Sequence, residues 1–320
     1  MKTIGVLTSG GDAPGMNACV AAIAESAEQR GIQVRGIFLG FLGLLQNNCI
    51  PIGSEIAGLA RRGGSFLGTS RNESVNLDQL ESEIGRIFDT CGLDGLIVLG
   101  GGGSLRALTK LATLGAPVVG IPCTIDNDVA CTDYCLGFDS AANRVLRAID
   151  EILDTAESLS DRVFLVETMG GNTGHLALAT AYASSADAVF IPEQPIDIKG
   201  VSSRIRAKMD AGGTHGLIVL CEDQGTFEIQ QKLEAAIGKK VRLTVLGHIQ
   251  RGGNPTFLDR RFAREFGEAA VELIASAQHG QMIAYSGEKV HPIPLTEDLA
   301  LAKPIDVAKY RAVNMLDRRQ

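Results

Sequence analysis

Thr8-Ser9-Gly10-Gly11-Asp12-Ala13-Pro14-Gly15-Met16-Asn17 closes one apolar run and opens another. Upstream of it, residues 2–7 (KTIGVL) read as a short buried strand. Downstream, from Met16 to Arg30, Ala, Val and Ile recur at helical spacing. A turn rich in glycine and hydroxyls between strand and helix leaves backbone N–H groups facing outward, and the helix dipole adds partial positive charge there. The stretch therefore reads as a phosphate cradle. It matches neither the dinucleotide G-x-G-x-x-G pattern nor the G-x-x-x-x-G-K-[ST] loop, whose lysine it lacks. The plainer alternative is a tight strand-to-helix connection with a good helix start.

Outward from this turn the chain alternates. Strand-like runs are predicted at 33–38, 95–99, 117–122, 163–166, 188–191, 216–221 and 243–246. Helical patterns fall between them, at 77–90, 105–114, 141–156, 176–185, 202–211, 226–237 and 261–277. Such alternation predicts an α/β fold of βαβ units, a mostly parallel sheet with helices on both faces. Ligands of these folds sit at the carboxyl ends of the strands, and there the loops are polar or glycine-rich. Gly100 to Ser104, Cys123 to Asp128, Glu167 to Gly171, Glu222-Asp223 and Gly247 to Gly253 each follow a strand. A length of 320 residues suggests about two domains. No linker or low-complexity tract marks a boundary, so two domains would share the chain through several crossings.

Composition excludes several classes. A net charge of −7 and no tryptophan argue against nucleic-acid binding, which rests on a basic surface. No apolar run approaches the roughly 20 residues of a membrane span, and the N-terminal run, broken by Gly and Asp, is no signal peptide. Seven cysteines without a C-x-x-C pair read as free, mostly buried thiols of a reducing cytoplasm. Cys131 and Cys135 are spaced like half a metal site, but no matching Cys/His pair follows, so zinc carries little weight.

Thr124-Ile125-Asp126-Asn127-Asp128 places two carboxylates just past a strand. One can take a proton from a substrate hydroxyl as the oxygen attacks, and the other can hold a cation; the bland reading is an Asx turn. His248 and Arg251 beside Gly252-Gly253 look like an anion clamp, since arginine offers phosphate a bidentate fork. Arg242 lies at the other end of that strand and cannot easily reach the same pocket within one chain. The bland reading of each arginine is a surface ion pair. Glu222 is an acceptor for sugar hydroxyls or a helix cap.

Taken together these loops resemble one family, the 6-phosphofructokinases of the bacterial glycolytic type. The pieces are IGVLTSGGDAPGMNA at the start, RRGGSFLGTSR at 61–71, a glycine loop ending in Gly103-Ser104 and IPCTIDND at 121–128. TDYCLGFDSA at 132–141, VETMGG at 166–171 and LTVLGHIQRGGNP at 243–255 complete the set. The resemblance implies two doubly wound, mostly parallel-sheet lobes with the active site in the cleft. A larger N-terminal lobe, 1–138 plus 250–300, would take the phosphoryl donor. A smaller one, 139–249 plus 301–320, would take fructose 6-phosphate. It implies transfer from ATP, with Mg²⁺, to the 1-hydroxyl of that sugar. Asp126 would be the base, Thr124 would steady the transferring group, and Asp128 would lie near the metal. Ile125, Met169, Gly170, Gly171, Glu222, His248, Ile249, Gln250 and Arg251 would bind the sugar phosphate, with Arg162 and Arg242 reaching in from a neighbouring subunit. Gly11, Arg71, Asn72, Gly101, Gly102, Gly103 and Ser104 would line the donor. A cytoplasmic homotetramer, a dimer of dimers, is expected, with neither nucleic acid nor membrane as partner.

Three departures stand against that pattern. The family's glycine loop reads GGDGS, and its metal-binding aspartate is here Gly102, which cannot ligate Mg²⁺. The family's M-G-R motif brings an arginine to the transferring phosphate, and Gly171 stands in its place; comparable arginines are worth roughly 10³-fold or more. The first helix lacks the arginines that bind a diphosphate effector in allosteric members. The acceptor half of the site is thus nearly intact and the donor half stripped. The alternatives are a weak or inactive sugar-phosphate-binding homologue acting as a regulatory subunit, or another donor such as pyrophosphate. Pyrophosphate-dependent relatives typically read GGDDS with a lysine where Cys123 sits, and this chain has neither.

Overall fold

Gly95–Gly100 (GLIVLG) is buried at every position, as an inner strand of a parallel sheet covered on both faces requires. Full burial of Leu96, Ile97, Val98 and Leu99 stabilises the fold by about 1.5–3 kcal/mol per side chain. The computed structural model describes residues 1–70, 75–158 and 161–315. In chain order the elements begin β1 (Thr3–Thr8), α1 (Met16–Glu28), β2 (Gln33–Ile37), α2 (Gly40–Leu45) and β3 (Cys49–Ile52). There follow α3 (Leu77–Cys91), β4 (Gly95–Gly100), α4 (Gly102–Thr113), β5 (Val118–Pro122) and α5 (Phe138–Ser158). Next come β6 (Arg162–Thr168), α6 (His175–Ala183), β7 (Ala188–Phe190), α7 (Ile198–Asp210), β8 (His215–Cys221), α8 (Thr226–Ile237) and β9 (Val241–Val245). The last are α9 (Phe257–Ala275), β10 (Gln281–Ser286), β11 (Lys289–Pro294) and α10 (Val307–Val313). Short 3₁₀ turns occupy Ser54–Arg61, Gly247–Arg251 and Glu297–Ala300.

The chain forms two compact units, Met1–Ser140 with Arg251–Lys303, and Ala141–Gln250 with Pro304–Gln320. The first holds a seven-stranded sheet in the order β11-β10-β5-β4-β1-β2-β3. Its inner pairs are parallel; β10–β11 and β2–β3, at the flanks, are antiparallel. The second holds a four-stranded, wholly parallel sheet in the order β7-β8-β6-β9. The α/β class with mostly parallel sheets therefore stands as read from the alternation.

The sequence reading missed β3, β10, β11, α2 and α10. The two outermost strands carry proline, Pro51 in β3 and Pro292 and Pro294 in β11, which demotes a run in a sequence reading. Proline lacks a donor and is tolerated on an edge strand. Between β10 and β11, Gly287 and Glu288 both take positive φ, 55° and 63°, the two-residue turn of a tight hairpin.

Beside α5, the first turn of α9 carries Asp259, fully buried. Its carboxylate accepts from the Tyr134 hydroxyl (2.7 Å), the Gly137 amide (2.7 Å), and the Ser140 amide (2.8 Å) and hydroxyl (2.5 Å). Burial still pushes its pKa up, against the four bonds that pull it down. The carboxylate thus fixes the 134–140 segment, which follows directly on the loop after β5.

Candidate active site

The carboxyl ends of β1, β4 and β5, neighbours in the first sheet, bring three loops together, as the rule for such sheets requires. After β1, Gly10 takes φ 85°, a left-handed conformation, and α1 starts behind Gly15 with no capping side chain. After β4, Gly100 cannot carry a side chain: a Cβ there would lie 2.6 Å from that of Ser104 and 3.0 Å from the Ser9 carbonyl. Gly101 then caps α4 without a side chain. An anion at this end of α4 would meet the positive end of the helix dipole.

After β5, the Cys123 amide donates to Gly100 (2.9 Å) and the Thr124 amide to Leu136 (3.0 Å), which fixes the chain as it leaves the sheet. Thr124 Oγ1 accepts from the Asp126 amide at 3.2 Å. Asn127 takes φ 51°, which asparagine tolerates better than most residues. Its side chain accepts from the Cys135 amide (2.9 Å) and donates to the Asp133 carbonyl (3.2 Å). The turn is therefore built by Thr124 and Asn127. Asp126 and Asp128, on either side of Asn127, both line a cavity of about 410 Å³. Buried there, Asp128 Oδ1 has no hydrogen-bond partner among the described residues.

Gly10, Gly11, Gly101, Gly102, Gly103, Ser104, Cys123 and Thr124 share that cavity with the two carboxylates, and two arginines complete it. Arg251 is held by an Nη1 bond to the Asp12 carbonyl at 3.1 Å. Arg106 was not among the residues singled out from sequence; on a helix with buried Leu105, Ala107 and Leu108 it reads as an ordinary exposed position. Also missed were Thr8 and Asn17, which hold the 61–68 segment. The Thr8 hydroxyl bonds the Ser65 hydroxyl (2.7 Å) and the Gly68 carbonyl (2.8 Å). Asn17 accepts from the Phe66 amide (2.8 Å) and donates to the Gly63 carbonyl (3.1 Å). Arg71 and Asn72, expected along the donor, lie outside the described residues.

The second unit carries the remaining candidates. Met169, Gly170 and Gly171 follow β6; Glu222 follows β8; His248 and Ile249 lie in the turn after β9, both exposed. Glu222 Oε1 accepts the amides of Gly170 (3.1 Å) and Gly171 (2.9 Å), so it organises this loop and is not a helix cap, since Gly225 caps α8. Gln250 is fully buried. Its side chain accepts from the Met169 amide (3.2 Å) and donates to the Gly247 carbonyl (2.9 Å). Its side chain is a support. In the first unit Ile125, fully buried, can offer a ligand only backbone. Arg162 and Arg242 sit at the amino ends of the paired strands β6 and β9, with Val163 opposite Val241 and Phe164 opposite Arg242. Met169 to Gly171, after β6, lie seven to nine residues beyond Arg162 and, by that register, five to seven beyond the level of Arg242, on the order of 15–30 Å at the rise of a strand.

All seven cysteines are free, five of them buried. Burial pushes the Cys123 thiol well up, which leaves it protonated beside Thr124. No group of three or more metal-ligating side chains exists among the described residues.

Residues 3–274 match the family model described as Phosphofructokinase. Among similar proteins, an ATP-dependent 6-phosphofructokinase of Thermotoga neapolitana is 39% identical over 319 residues, 99% of this chain and 100% of the relative. One of Clostridioides difficile is 40% identical over 318 residues, 99% of each. The crystal structure of Pichia pastoris phosphofructokinase in the T-state superposes with a TM-score of 0.86 at 30% identity; it covers 93% of this chain and 35% of that much longer one. A pyrophosphate-dependent phosphofructokinase from Marinobacter aquaeolei has the same fold, with a TM-score of 0.84 at 21% identity over 99% of this chain and 91% of that one.

Proposed function

The chain belongs to the phosphofructokinase family, and from that premise we propose that it transfers the terminal phosphoryl group of ATP to the 1-hydroxyl of fructose 6-phosphate, yielding fructose 1,6-bisphosphate and ADP. The observation that carries this reading is the cavity in which Asp126, Thr124 and Arg251 meet the glycine loops after β1 and β4. A base, a hydroxyl donor, an anion-binding fork and an uncapped helix start are the parts that phosphoryl transfer needs.

Asp126 accepts the proton of the 1-hydroxyl as its oxygen attacks the terminal phosphorus. The Thr124 hydroxyl donates to the transferring group. Amides at the start of α4, with Gly11 and Ser104, cradle the donor's phosphates and draw on the positive end of that helix. Arg251 binds the 6-phosphate as a bidentate fork. His248 adds a donor to that phosphate, and Glu222 with Met169 and Gly170 holds the sugar. The orphaned Oδ1 of Asp128 suits a hard cation that favours carboxylate and phosphate oxygens, and Mg²⁺ commonly uses only one or two protein carboxylates. Asp128 would hold Mg²⁺ here; Gly102 offers it nothing. When bound, the cation neutralises charge on the donor's oxygens.

Arg162 and Arg242, too far along their strands to meet the carboxyl-end loops of their own sheet, would serve a neighbouring copy. Such sharing requires at least a dimer, and the family resemblance extends it to a homotetramer, a dimer of dimers. A cytoplasmic location accords with the free thiols and with the lack, among the described residues, of a helix long and apolar enough to cross a membrane. The retained Asp126 argues against a binding-only role.

A coupled assay of the purified chain with fructose 6-phosphate and Mg-ATP, Mn-ATP or pyrophosphate tests the proposal. Turnover with ATP is expected. Tight sugar-phosphate binding without turnover on any donor would overturn it.

A further inference from the structure

Nothing in the backbone at Gly102 demands glycine. Its φ is not positive, and a Cβ built there would meet nothing closer than Arg106 Nη1, at 3.5 Å, an ordinary contact. The empty place beside Gly102 is thus overlooked by a guanidinium. Arg106 stands one turn further along α4, and side chains on a helix lean toward its amino end, so residue 106 covers residue 102. Its neighbours Leu105, Ala107 and Leu108 are buried in the core, which anchors the backbone that carries it. The side chain itself is exposed, lines the cavity of Asp126 and Asp128, and forms no ion pair among the described residues. A charged fork therefore stands over the uncapped start of α4, where amides and helix dipole already favour an anion.

We propose that Arg106 is a ligand of the donor's terminal phosphates, reaching them across the space that Gly102 leaves open. This rests on the reading of the chain as a phosphoryl-transfer enzyme and specifies how it holds its donor. The Arg106 guanidinium takes over part of the charge neutralisation that a carboxylate at 102 would have entrusted to a cation. The missing carboxylate and the arginine belong together. An aspartate at 102 would lie within ion-pair reach of Arg106 and quench it. The consequence is that donor binding depends only weakly on divalent metal.

The test is equilibrium binding of ATP, and in parallel of pyrophosphate, to the full-length protein in excess EDTA and in excess Mg²⁺, without sugar phosphate. Wild type should bind metal-free ATP within about tenfold of Mg-ATP. Arg106→Met should weaken metal-free binding by roughly 10- to 100-fold, the range for a charge-assisted pair of bonds, and leave the dissociation constant for fructose 6-phosphate unchanged. Arg106→Lys should recover part of the loss. Gly102→Asp should weaken metal-free ATP in the wild-type background, yet strengthen Mg-ATP binding in the Arg106→Met background. Unchanged metal-free binding in Arg106→Met, or an equal loss of fructose 6-phosphate binding, would overturn the assignment. If wild type binds pyrophosphate and not ATP, the ATP reading fails, while loss of pyrophosphate binding in Arg106→Met still upholds Arg106. If it binds neither donor, the assignment falls.

Discussion

Arg251 donates through Nη1 to the main-chain carbonyl of Asp12 at 3.1 Å, a bond across 239 residues of chain. It seats the guanidinium directly over Gly11, where a Cβ would come within 2.3 Å of Nη1. One side chain thereby fixes its own fork and the turn that faces the donor. Arg251→Ala should raise KM for fructose 6-phosphate by roughly 10- to 100-fold, with a smaller rise for ATP. Arg251→Lys keeps the charge and loses the fork, so it should recover only part. Steady-state kinetics in both substrates separates these outcomes, and an effect confined to ATP would contradict the assignment to the 6-phosphate.

Asp126→Ala should lower kcat by about 10²- to 10⁴-fold, the usual worth of a positioned base, with KM for either substrate nearly unchanged. Asp126→Asn should be as poor, since an amide cannot take the proton. A variant that kept its rate and lost sugar affinity would make Asp126 a binding residue. Single-turnover measurements distinguish the two.

Chelation of divalent metal should reduce turnover more than it reduces donor binding. Asp128→Ala should raise the Mg²⁺ concentration for half-maximal activity about tenfold or more, the equivalent of losing one charge contact. Titration of activity with Mg²⁺ reads this, and an unshifted midpoint would remove Asp128 from the cation.

Asp259→Ala should destabilise the protein by about 3 kcal/mol or more, because it strands four buried donors. For pH, the direction follows from the raised pKa of the buried carboxyl. A group that binds its proton more tightly when folded contributes its stability in full below its unfolded value, near 3.9, and loses it as pH rises through the folded value. Asp259→Asn, which cannot ionise, should therefore show a flatter dependence of stability on pH above about 4 than wild type. Urea midpoints measured across that range test the sign.

Legibility of the chain follows its physics. Inner strands such as β4 and β5 are buried on both faces and read as unbroken apolar runs, so alternation alone revealed the parallel core. The proline-bearing flanks β3 and β11 resemble loops until the neighbour they pair with is seen. In the site, Thr124, Asp126 and Asp128 stood out through the family motif they belong to, since a polar cluster just past a strand taken alone reads equally as an Asx turn. Ile125 and Gln250 stood within matching motifs, but a motif does not show which of its members face inward; both are buried. Arg106 was hidden for the opposite reason: an exposed arginine on an amphipathic helix looks like solvation, and only the empty place beside Gly102 gives it a purpose.

The prolines at the two flanks of the larger sheet have a bearing on assembly. A strand without its full set of N–H donors is a poorer template for another chain, so the prolines disfavour extension at both flanks of this sheet. The edges of the smaller sheet, β7 and β9, contain no proline, and β9 displays Arg242 to solvent. For copies that join by sharing a ribbon of main-chain bonds, the edges of that smaller sheet are the ones that keep every N–H donor.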